Sequence, residues 1–127
     1  MRRFSKFVST TSILTVAITG LGLGLASTTV NAAESNQTDI EKGQEIAFSR
    51  KKGNCLACHS IKGGNLPGNI APPLVAMQQR FPDKAKLRAQ IFDSTASNPD
   101  SIMPPFGRHK IISDSEIDLV TDFIHQL

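Results

Sequence analysis

Cys55-Leu56-Ala57-Cys58-His59 sets the only two cysteines of the chain three positions apart, with a histidine directly after them. This is the spacing of a c-type haem attachment site. Two thiols on one short turn can each add across a haem vinyl group to form a thioether. The next residue then lies under the porphyrin face, where its imidazole can bind the iron. Two rival readings of a Cys-x-x-Cys pair fit poorly. A redox dithiol of the thioredoxin type needs a βαβ context, and no period-two strand pattern occurs in the chain. A structural zinc site needs four ligands, and the remaining histidines, His109 and His125, are not spaced as a zinc pair.

If a haem sits on Cys55, Cys58 and His59, the sixth ligand decides the function. An open iron binds small molecules, whereas a closed one passes electrons. Four side chains compete: Met77, Met103, His109 and His125. Met103 opens the run Met103-Pro104-Pro105-Phe106-Gly107, whose two prolines stiffen the loop and remove amide donors. Such a loop can hold a thioether over the distal face with little entropy lost. Met77 lies in an apolar turn and reads as a core filler. His109 reads as a loop hydrogen-bonder, and His125 sits beside the C-terminus. Met103 and His59 are therefore the expected iron ligands.

The flanks of the motif read as helix. Thr38-Asp39-Ile40-Glu41 has the form of a capping box, with Thr38 as the expected N-cap. Behind it Ile40, Gly43, Ala47 and Phe48 fall near one face, and Gly43 and Ala47 would let another helix approach closely. Arg50, Lys51 and Lys52 are expected in the last turn, with Gly53 as the stop. They read either as a solvated helix end or as a docking patch for an acidic partner. Ser113-Asp114-Ser115-Glu116 is a second capping box, followed by an apolar stripe of Ile117, Val120, Phe123 and Ile124. Asp83 to Phe92 predicts a third helix bearing Leu87 and Ile91, and a short helical turn is expected around Leu74 to Gln79. The fold class expected is all-α with long loops around one covalently bound haem c.

The N-terminal segment reads as a secretory signal. Arg2, Arg3 and Lys6 precede an apolar stretch from Ile13 to Ala26, and no acid occurs before Glu34. Val30-Asn31-Ala32 offers a cleavage site, giving a leader of residues 1–32 and a mature domain of 33–127. An uncleaved anchor is the alternative reading, although the stretch is short of the ~20 residues that a bilayer span needs. The whole chain has 14 basic and 11 acidic residues, a formal +3. The three surplus positives are Arg2, Arg3 and Lys6, so the domain itself is neutral. The basic balance thus carries no argument for nucleic acid or membrane binding. Export places the domain in a bacterial periplasm.

With these residues in hand, the chain resembles the class I cytochromes c. That resemblance implies terminal helices that cross beside the haem motif. Ala71-Pro72-Pro73-Leu74 is similar to the family's Gly-Pro-x-Leu, with alanine in place of the usual glycine. It implies that the Pro72 carbonyl accepts from the ring N–H of His59 and that Leu74 packs on the porphyrin. More narrowly, Leu66-Pro67-Gly68-Asn69-Ile70 together with Met103-Pro104-Pro105-Phe106-Gly107-Arg108-His109 resembles the SoxX family of small haem subunits. The SoxX resemblance implies a SoxA-like haem subunit as heterodimer partner and a carrier protein of sulfur oxidation whose cysteine is joined to thiosulfate. It also implies a soluble cytochrome c as electron acceptor. Both cysteines of this chain are committed to the haem, so no catalytic residue is expected here, and the sulfur chemistry falls to the partner. A free-standing periplasmic cytochrome c shuttle is the alternative function.

Overall fold

The computed structural model describes residues 32–127. Residues 1–31 of the expected signal segment lie outside these residues, and the expected cleavage bond, Ala32–Ala33, falls at the first described residues. Four α-helices make the framework: α1 (Ala32–Phe48), α2 (Met77–Arg80), α3 (Lys84–Phe92) and α4 (Asp114–His125). Two 3₁₀ turns, Cys55–Ala57 and Ser94–Ala96, punctuate the loops. Among the described residues the one β feature is an isolated parallel bridge between Ile61 and Leu74.

α1 and α4 cross and form the core. Gly43 is at the crossing: a Cβ built there would stand 2.1 Å from the Leu119 carbonyl oxygen and 2.9 Å from the Phe123 Cβ. Only a residue without a side chain lets the two backbones meet so closely. Ala47 and Ile117 are fully buried, and Val120, Phe123 and Ile124 are buried beside them. Phe48 meets Phe123 edge to face, with centroids 5.7 Å apart and planes at 86°, the geometry that aromatic quadrupoles favour.

The helix starts follow the capping chemistry at two of three places. Ser113 caps α4 with a full capping box: Glu116 N–H donates to the Ser113 hydroxyl, and Ser113 N–H donates to the Glu116 carboxylate at 2.9 Å. Asp83 caps α3 by accepting from Ala85 N–H at 2.9 Å. The expectation at Thr38 is corrected: α1 already runs from Ala32, so Thr38 lies inside the helix. The capping pattern is outweighed by helix-forming residues ahead of it and by surface pairs such as Gln37–Glu41 at 3.3 Å and Asp39–Lys42 at 3.1 Å. The expected helical turn at Leu74 to Gln79 is displaced to Met77–Arg80.

The basic run is also corrected. α1 ends at Phe48, so Arg50, Lys51 and Lys52 lie in the turn that follows it. Ser49 O accepts from both Lys52 N–H and Asn54 N–H at 3.0 Å, and Gly53 N–H returns to Ile46 O at 3.1 Å. Lys52 is not spare for docking, because its Nζ is 2.6 Å from Glu116 Oε1 and ties this turn to α4. A second set of pairs joins α3 to α4: Lys84 to Asp122 at 2.6 Å and Arg88 to Asp118 at 2.5 Å.

The Lys52–Glu116 pair fixes a pH dependence. The Lys52 hydrogen bond and then Ser113 N–H hold the Glu116 carboxyl below its usual range, while Glu116 raises the Lys52 ammonium above its own. The Glu116 contribution to stability is present above its ordinary value of about 4.3 and is lost as pH falls through the lowered folded value. The Lys52 contribution is present below about 10.4 and is lost as pH rises through the raised folded value. Glu116→Gln keeps the capping group and removes only the charge. Its destabilisation in urea titrations is expected to be constant through the neutral range and to vanish in strong acid.

Candidate functional site: an apolar cavity over the Cys55–His59 motif

The motif is set on a bend that the sequence prepares. Asn54, at φ 48°, takes the left-handed conformation, which asparagine tolerates better than most residues. Its carbonyl accepts from Ala57 N–H at 3.0 Å, and the Cys55 carbonyl accepts from His59 N–H at 2.9 Å. These bonds bring Cys55, Cys58 and His59 onto one tight turn. The loop after it folds back over the motif: Gly68 N–H donates to Leu56 O at 2.7 Å, Ala71 N–H to Cys58 O at 3.1 Å and Leu74 N–H to Ser60 O at 2.9 Å. Gly68 is required there, since a Cβ would fall 2.2 Å from the Ala57 carbonyl oxygen.

This return path places the Pro72 carbonyl 2.7 Å from His59 Nδ1. The bond fixes the ring orientation and assigns the Nδ1 proton to the carbonyl. Nε2 is then left as the lone-pair nitrogen available to a metal. Alanine at position 71, in place of the usual glycine, does not disturb the contact.

Above the motif lies a cavity of about 470 Å³, within the range of built cofactor and ligand sites. Cys55 and His59 line one part of it, Leu74, Leu87, Ile91 and Val120 the walls, and Met103 with Ile102 and Phe106 another part. The lining suits a large flat apolar group held at its edge by sulfur and at its centre by imidazole. Cys55 supports this over a redox dithiol. Burial pushes its thiol up to about 11, with the nearby Cys58 adding to the rise. A dithiol that exchanges disulfides needs the opposite shift. Among the described residues no three His, Cys, Asp or Glu side chains gather as a metal cluster.

Of the four candidates for a sixth ligand, two line the cavity. Met103 is half-buried and lines the cavity. Met77 also lines it but is 2 % exposed, packed in the core, and its Sδ accepts from Arg80 at 3.4 Å. His125 Nε2 is engaged with the Phe81 carbonyl at 3.0 Å. His109 is exposed and is not part of the cavity wall. Sequence reasoning missed two residues that shape the site. Arg80 holds the Pro73 carbonyl at 2.9 Å, next to the carbonyl that orients His59, and the Ser94 hydroxyl donates to the Met103 carbonyl at 2.8 Å. Neither belongs to a recognisable motif; both act through backbone carbonyls, which sequence does not display.

Comparison with known proteins agrees with this geometry. The family model described as cytochrome C oxidase, cbb3-type, subunit III matches residues 38–124. No curated protein matches the sequence. Among solved structures, the crystal structure of SoxXA from P. pantotrophus is similar: 27% identical, with a TM-score of 0.61, over 67% of this chain and 78% of that one. Among the described residues no helix is long and apolar enough to cross a membrane. The fold is the all-α fold of a class I cytochrome c, for which a covalently bound haem c is implied and Cys55, Cys58 and His59 are the consistent motif. The family model covers well over half of the chain, and on that ground the protein belongs to the cytochrome c family described as cbb3-type cytochrome c oxidase subunit III.

Proposed function

We propose that this chain is the electron-transfer subunit of a periplasmic SoxXA-type L-cysteine S-thiosulfotransferase, entering the periplasm by way of a signal at residues 1–32. In this reading it receives electrons released when thiosulfate is joined to a carrier-protein cysteine on a SoxA-like haem subunit. It passes them to a soluble cytochrome c. One haem c would be held by Cys55 and Cys58, with His59 and Met103 supplying its iron ligands. When bound, that group supplies a single reversible electron site whose potential is raised by methionine ligation. The chain's own residues do the rest. Pro72 orients His59 through the 2.7 Å bond, the apolar walls exclude water, and the Met103 loop closes the far side. The chain supplies no nucleophile of its own for sulfur, since both cysteines hold the cofactor.

The observation that carries the subunit reading lies in two uncharged loop segments. Residues 63–79 and 101–107 contain no charged side chain. In these segments Leu66 is 87% exposed, Ile70 68% and Ile102 79%, and Ile70 and Ile102 line the cavity. A cytochrome that meets its partners only in passing is steered by charge. Exposed apolar residues in two uncharged loop segments suit a partner that stays. The likeness to SoxXA supports a haem-bearing partner of the SoxA kind.

Purification from the native host tests this. The protein is expected to elute with a second haem chain. The variant Leu66→Asp, at an exposed position outside the cavity wall, is expected to keep the haem spectrum but to elute alone. Wild-type protein eluting alone would leave the free-standing shuttle as the better reading.

A further inference from the structure

The loop that carries Met103 is strapped to one short segment, 92–94, that joins α3 to the second 3₁₀ turn. Ser94 is fully buried, at 0% exposure, and its Oγ donates to the Met103 carbonyl at 2.8 Å. Ser94 is itself immobilised. Asp93 accepts from Thr95 N–H at 3.1 Å and from the Thr95 hydroxyl at 2.5 Å. The Ser94 carbonyl accepts from Asn98 N–H at 3.1 Å and from the Ser97 hydroxyl at 3.2 Å. On the far side of the loop Gly107 and Arg108 N–H both donate to the Phe92 carbonyl, at 3.0 and 3.3 Å. Arg108 Nε lies 3.4 Å from Asp93 Oδ2.

Between these anchors Pro104 and Pro105 offer no amide hydrogen. The Met103 N–H reaches only the Ser101 hydroxyl, at a long 3.3 Å. The hydrogen bond from the buried Ser94 hydroxyl is thus the short attachment at the methionine itself. Removing a buried donor leaves its carbonyl acceptor desolvated and unpaired, which favours a shift of that backbone toward water.

We infer that Ser94 is a positioning residue for the axial methionine. Its hydroxyl, acting through the Met103 carbonyl, keeps the Met103 thioether seated in the cavity and the iron closed to outside ligands. This rests on the reading of Met103 as the distal ligand. Ser94 touches neither the iron nor a partner.

The test uses the full chain purified with its haem. In Ser94→Ala, carbon monoxide is expected to bind the reduced protein at least about ten-fold more tightly than in wild type, a change of about 1.4 kcal/mol. The reduction potential is expected to fall, and the sulfur-to-iron charge-transfer absorption to be lost at a lower pH. Ile117→Val in the α4 core, away from the cavity, controls for general loosening and is expected to lower the melting temperature without these changes. Should Ser94→Ala not accumulate, Ser94→Cys places a weaker donor at the same branch position, under the same criteria. The inference is overturned if the Ser94 variant excludes carbon monoxide as well as wild type does, or if Ile117→Val opens the iron equally. Met103→Ala separates the two levels: if it leaves the iron closed, the ligand reading itself is wrong.

Discussion

Gly43→Ala is expected to be the most damaging single-methyl change in the domain. On an isolated helix this substitution would stabilise by about 1 kcal/mol, because alanine is the better helix former. Here the added carbon would meet the Leu119 carbonyl oxygen at 2.1 Å and the Leu119 carbonyl carbon at 2.7 Å. Both belong to the backbone of α4, which cannot swing away as a side-chain tip could. Overpacking costs about 1–3 kcal/mol where side chains can adjust, and more where they cannot. We expect a net loss of about 3 kcal/mol or more. In a domain of this size that lowers the melting temperature by roughly 12–24 °C. Thermal unfolding followed by far-ultraviolet circular dichroism reads the effect. A melting temperature equal to or above wild type would mean that the helices do not touch at Gly43.

Met103→Ala is expected to change the cofactor far more than the fold. Met103 is half-buried, so truncation should cost at or below the lower end of the 2–5 kcal/mol typical of a buried methionine. The chemical consequence is larger. Axial ligands move haem potentials over a range of about 0.8 V, and losing a thioether removes the ligand that favours reduced iron. A fall of roughly 0.1–0.3 V is expected, with ready binding of carbon monoxide to the reduced protein. Redox titration and ligand binding check it. Met77→Ala serves as the comparison. It is expected to cost stability, since Met77 is 2% exposed, and to leave the potential near that of wild type. The reverse pattern would exchange the roles of the two methionines.

What the sequence disclosed was whatever depends on short spacing. The Cys55–His59 turn, the Ser113–Glu116 capping box, the apolar stripe on α4 and the Gly43/Ala47 contact face are local signals, and the structure carries each of them. The bond between His59 and Pro72 followed from a resemblance and is present at 2.7 Å. The start of α1 was misread, since a capping pattern at Thr38 cannot reveal that the residues before it also favour helix. Long-range pairings were invisible. Nothing in the run Arg50-Lys51-Lys52 indicates that Lys52 reaches Glu116, 64 positions on. Lys84 and Arg88 give no sign of facing Asp122 and Asp118. Ser94 looks like any loop serine until its hydroxyl is placed beneath Met103.

The meeting of Gly43 with Leu119 has a bearing on how the molecule is assembled. It clasps the two ends of the domain together around a length of chain that holds both cysteines, His59 and Met103. Closing so long a loop costs entropy before any contact repays it. The packed faces of α1 and α4 must offset that cost, so the crossing holds this whole length of chain closed.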